Sequence, residues 1–76
     1  MPHMARVFDI RFHQAPQPGQ PFKWHISDNV EIFAMSEATA VRLARRALGL
    51  DDTWHVRKVL DHGPWNKFDR KQEAQE

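Results

Sequence analysis

Five histidines stand among 76 residues, at positions 3, 13, 25, 55 and 62. Imidazole is a common metal ligand and the side chain whose charge changes nearest neutral pH. To share a cation, two of them should lie three or four residues apart on a helix, or flank one residue on a strand. None of the five has that spacing, and there is no cysteine to supply a thiolate. The pattern specifies no metal site, and nothing in the chain calls for a cofactor. Acid–base chemistry asks for less: one imidazole as base and another as acid would serve metal-free cleavage of RNA. His25, set opposite Glu31 on a neighbouring strand, is the candidate base, with His13 or His55 as acid. That reaction needs a cleft, and a small sheet with one helix offers an open surface instead. The serines, Ser27 and Ser36, are used by a turn and a helix cap. The residues read as those of a protein that is not an enzyme.

Arginine offers a different chemistry, because a guanidinium pairs bidentately with carboxylates and phosphates. "SEATAVRLARRALG" carries Arg42, Arg45 and Arg46 on one helix with little acidic company. Glu37 has Val41 at i+4, so it pairs with none of them in the favoured geometry. The helix dipole rewards Arg45 and Arg46 near the C-terminal end but hardly Arg42. With the aromatic pair Trp65 and Phe68 beyond the last secure strand, these arginines form the candidate partner-binding set. They suit a protein or ribonucleoprotein with an acidic surface. A second set, Arg11, Lys23, His25, Phe33 and Arg57, is the candidate nucleic-acid surface, where cations track phosphates and a ring stacks on a base.

Strands and one helix must position these groups. Phe8, Ile10 and Phe12 alternate with Asp9, Arg11 and His13, the period of a half-buried strand. "QAPQPGQP" cannot join a ladder and reads as a loop of polyproline character. Phe22, Trp24 and Ile26 alternate again, and "VEIFAM" follows the polar "SDN". A three-residue turn at Ser27 to Asn29 keeps the apolar face whole, pairing Ile26 with Val30, Trp24 with Ile32 and Phe22 with Ala34. It makes Trp24 the main anchor of the core and sets His25 opposite Glu31 and Lys23 opposite Phe33. Ser36 is the N-cap of the helix and Gly49 its C-terminal stop. Ala40, Val41, Ala44, Ala47 and Leu48 form its apolar stripe. "WHVRKVLDH" is a further strand with a bulge near Lys58, ended by Gly63-Pro64.

The expected fold class is α+β, a three- to four-stranded antiparallel sheet with one helix packed on one face, in the order β-β-β-α-β. Residues 4 to 68 make a single domain, and 69 to 76 a polar, frayed tail. A chain of this length buries only about 60% of its unfolded surface, so a homodimer would be a natural source of extra stability. Net charge is +1, too balanced to announce a nucleic-acid binder. Without cysteine, signal peptide or an apolar run of about 20 residues, a cytoplasmic setting and no membrane contact are expected. Met4 reads as a second candidate start, with Met1 to His3 outside the native chain.

The succession of strand, Pro/Gly loop, "FKWHISDNVEIFAM", "SEATAVRLARRALG" and "TWHVRKVL" over residues 5 to 68 resembles compact phage-encoded anti-CRISPR proteins. It is also similar in its order of elements to HicB-type antitoxin domains and the sheet-then-helix domains of integrase arms. The first resemblance implies a bare sheet-plus-helix inhibitor that occupies the surface of a ribonucleoprotein without catalysis. It carries an order of elements and no functional residues.

Overall fold

Alternation over residues 6 to 14 produces the central strand. The computed structural model describes residues 5–65, and in it β1 runs Arg6–Gln14. β2 follows at His25–Ile26, β3 at Val30–Ala34, α1 at Glu37–Leu48 and β4 at Trp54–Pro64. The α+β class and the β-β-β-α-β order expected from the sequence are present, with an antiparallel sheet and one helix among the described residues. Phe8, Ile10 and Phe12 are buried against Ala34, Ala40 and Ala44, with Val30, Ile32, Val59 and Trp54 around them. The alanines let α1 lie close over large strand residues. Ala47, expected in the same stripe, is exposed, because the helix turns it past the contact.

β4 pairs with β1 from Gln14↔Trp54 to Arg6↔Pro64. β2 pairs with β1 at His13↔Ile26 and Gln14↔His25, and β3 pairs with it from Ile10↔Val30 to Arg6↔Ala34. A strand has two edges, so β2 and β3 lie end to end along the edge that β4 leaves. The sheet has four strands but is three strands wide, with β1 in the middle.

The hairpin expected at Ser27 to Asn29 therefore does not form. Ser27 donates its N–H to the carbonyl of Phe12 at 2.9 Å, and its Oγ accepts the Phe12 N–H at 2.8 Å. The hydroxyl stands where a backbone carbonyl would, so the ladder to β1 runs on through the polar stretch. Between the pairs on either side, Asp28 and Asn29 are left facing Arg11 alone, which is a bulge. The chain reverses earlier, where Gln20 donates its N–H to the Gln17 carbonyl at 3.1 Å around Pro18-Gly19. Gly19 has φ of 79°, and proline followed by a positive-φ glycine is the type II turn pattern.

This register moves Trp24 off the core. It lies beyond the last ladder pair of β2 and is 50% exposed, while Phe22 is 90% exposed. Neither meets the partner expected for it, Ile32 or Ala34. Phe8, Phe12, Ile10 and Val7 are the large side chains that are fully buried.

The helix ends are as expected. Ser36 Oγ accepts the Thr39 N–H at 3.3 Å, and Gly49, with φ of 67°, closes the C-terminus through N–H bonds to the Arg46 and Arg45 carbonyls. The bulge near Lys58 is present too: Arg11 pairs with Lys58 and Phe12 with Val56, leaving Arg57 as the extra residue. Gly63 and Pro64 do not stop β4 but belong to it. Pro64 is its last residue on an edge strand, where a missing N–H is tolerated.

Candidate functional site

Because α1 covers one face, the odd residues of β1 form the other. Cross-strand partners point to the same side, so the register of β1 lays this outer face out in rows. Val7 lies beside Phe33. Asp9 lies between Glu31 and Leu60, and Arg11 lies opposite Lys58. His13 lies between Ile26 and His55, with the Trp24 ring 5.3 Å from its own. Phe33 is 56% exposed, and Ile26 and Leu60 are 45% exposed each. Val7 is fully buried.

Two like-charge pairs result, Asp9 with Glu31 and Arg11 with Lys58, and such pairs directly opposite one another are destabilising. Asp9 is relieved by His62, whose Nε2 lies 2.7 Å from Asp9 Oδ2. Asp9 Oδ1 and His13 Nδ1 are buried without a hydrogen-bond partner among the described residues. Arg11, Lys58 and Glu31 have no ion pair among the described residues.

The nucleic-acid set proposed from sequence is not brought to one surface. Arg11 and Phe33 share the outer face, but the acidic row of Asp9 and Glu31 separates them. His25 faces Gln14 rather than Glu31, and its ring lies 6.5 Å from Trp54 on the helix side of the sheet. Lys23 is exposed in the loop before β2, and Arg57 sits in the β4 bulge. The base–carboxylate pair expected between His25 and Glu31 is absent for the same reason: β2 and β3 pair with β1, not with each other. His62 and Asp9 make such a pair instead, and sequence reasoning missed it. The clue was Asp9 on the polar side of a strand, but its partner lies 53 residues away.

The three helix arginines separate. Arg45 is half-buried and donates from one Nη to the carbonyls of Asp51 at 2.8 Å and Trp54 at 2.7 Å. Its guanidinium also lies 5.1 Å from the centre of the Phe12 ring. It ties the end of α1 to the start of β4. Arg42 and Arg46 are exposed and have no ion pair or side-chain hydrogen bond among the described residues. Trp65 is 40% exposed just beyond β4, where its N–H donates to the Ala5 carbonyl. Phe68 lies outside the described residues.

Two carboxylates titrate low. Asp51 is held below the usual 3.8 mainly by hydrogen bonds from Thr53, and Asp61 by the Gly63 N–H and then by Arg6. Both belong to turns and strand ends, not to a reaction centre. Ser27 Oγ and Ser36 Oγ are committed to backbone groups. No cluster of three or more histidine or acidic side chains that could hold a metal ion occurs among the described residues. What this arrangement offers chemically is contact: a mixed, partly apolar sheet face and two unpaired arginines on a rigid helix. Comparison with protein-family models, curated proteins and solved structures finds no match for this chain.

Proposed function

We propose that this chain is a non-enzymatic interaction protein that docks through the outward side of α1 on an acidic surface of a larger protein or ribonucleoprotein. The observation that carries the reading is the division of labour among neighbouring arginines. Arg45 is used by the fold, whereas Arg42 and Arg46, one helical turn apart, have no ion pair among the described residues. Like charges at that spacing cost a helix a few tenths of a kcal/mol, and the dipole offsets this for Arg46 in the last turn but hardly for Arg42. Their side chains start about 5–6 Å apart on a rigid element, a spacing suited to two carboxylates or two phosphates.

Such a protein acts by occupying its partner's surface, which is the mode of action of a phage-type inhibitor and requires no turnover. The partner is a macromolecule rather than a lipid. No helix among the described residues is long and apolar enough to cross a membrane, and the cytoplasm is the compartment this reading favours.

The test is a double substitution, Arg42→Gln with Arg46→Gln, measured against the partner that co-purifies with the chain. Circular dichroism should show the fold unchanged. Affinity should fall by about 30-fold or more, the equivalent of roughly 2 kcal/mol for truncating members of desolvated charge pairs. The salt dependence of binding should shrink with it. Undiminished binding would remove α1 as the docking surface.

A further inference from the structure

The β1–β4 register gathers basic groups at one end of the outer face. Arg11 lies directly opposite Lys58, and one row further along His13 lies directly opposite His55. Partners across a ladder sit about 5 Å apart and successive rows about 7 Å apart, so the four side chains start from one compact block. Arg57, the extra residue of the bulge, is exposed on the same edge. Trp24 closes the block on the β2 side, half exposed and with its ring 5.3 Å from that of His13. We infer that this end of the face binds single-stranded nucleic acid, with phosphates held over Arg11 and Lys58 and a base stacked on Trp24.

The first support is charge. Arg11, Lys58 and His55 are exposed, and none of the three has an ion pair or side-chain hydrogen bond among the described residues. Like charges set directly opposite one another weaken the sheet, and an anion laid across Arg11 and Lys58 turns that repulsion into attraction on both sides. The imidazole of His55 donates a ring N–H to a phosphate oxygen in either charge state. Nearby acids leave a path open. Asp9 is held by His62, and Asp28 and Glu31 lie on the β3 side of β1, across from Lys58. A backbone can therefore run over the β4 side of the block and cross β1 at His13 to reach Trp24.

Charge alone would suit any phosphate-bearing partner, and the ring decides between them. A half-exposed indole beside cations is a stacking platform of the kind that single strands use, because every base has a π-face. A duplex keeps its bases stacked on one another, out of reach of a ring on an open face. The residues involved are distinct from Arg42 and Arg46, so this inference and the proposed function stand or fall separately.

Fluorescence anisotropy of a labelled, mixed-sequence single-stranded oligonucleotide, titrated with the full chain between about 50 and 200 mM salt, tests it. The wild type should bind, with affinity falling linearly on log–log axes. Arg11→Gln combined with Lys58→Gln should weaken binding and flatten the slope by about 1.4, two phosphate contacts at about 0.7 each. Because it removes an opposed like-charge pair, that variant should fold at least as stably as the wild type, which urea denaturation checks. Trp24→Ala should weaken binding about fivefold or more and leave the slope unchanged, since it removes stacking and no charge. No binding by the wild type at the lowest salt would overturn the inference. So would an affinity and a slope that these variants leave unchanged. Binding lost in Arg42→Gln, Arg46→Gln but kept in Arg11→Gln, Lys58→Gln would overturn it too, by placing the anion on α1. A phosphoserine peptide bound as tightly as the oligonucleotide, and indifferent to Trp24→Ala, would assign the block to a phosphorylated protein instead.

Discussion

Alternate residues of one strand build two faces that answer to different demands. Phe8, Ile10 and Phe12 point toward α1, are closed off from water, and meet alanines that bring the helix near. Val7, Asp9, Arg11 and His13 point away, where an apolar end, an acid row, a basic row and an aromatic end follow one another. The covered face follows a single rule, small against large, and that is enough to fix the fold. The outer face breaks the rules a solvated surface obeys, with like charges opposed and large apolar groups half exposed. Its like-charge pairs cost stability that the covered face must supply. The same contrast recurs on α1, where Arg45 is hydrogen-bonded into the fold and the side chains of Arg42 and Arg46 are not bonded to any described residue.

The largest effect should come from the covered face. Phe12→Ala removes a fully buried ring that packs in the core and lies beneath Arg45, and should cost about 3–5 kcal/mol. In a domain of this size that is most of the stability, and urea denaturation would show it as loss of the folded baseline. An Arg45→Gln substitution comes next. It gives up charged hydrogen bonds to two carbonyls and the contact with Phe12, and should cost about 1–2 kcal/mol after allowance for partial exposure. The same substitution at Arg42 is the control for it. Trp24→Ala should have the smallest effect, under about 1 kcal/mol, because the ring is half exposed, lies outside the ladder and meets the His13 ring at its edge of the sheet. A loss comparable to that of Phe12→Ala would restore Trp24 to the core and refute the β1–β2 register.

How much of this was legible depended on how local each signal was. The cap at Ser36, the stop at Gly49 and the alternation of β1 are written in neighbouring residues, and all were readable. Strand pairing was not. Ser27 holds β2 to β1 by presenting a hydroxyl where the ladder needs a carbonyl, and no hydrophobic period records that. The residues Pro18-Gly19 did record the true reversal, but among several prolines they read as a breaker rather than a turn. The position of Lys58 opposite Arg11 depends on a bulge that absorbs Arg57, so the basic row was invisible until the register was known. The use of Arg45 was hidden for a similar reason, since its partners are backbone carbonyls that any residue would supply.

The difference between the two faces can be read directly by hydroxyl-radical footprinting of the wild-type chain. Phe8 and Phe12 should resist oxidation throughout, as buried side chains do. Phe33, Ile26 and Leu60 should be oxidised readily, as half-exposed side chains are. Protection of Phe33 and Leu60 equal to that of Phe8 and Phe12 would contradict the account, because it would place both faces of the sheet in the core.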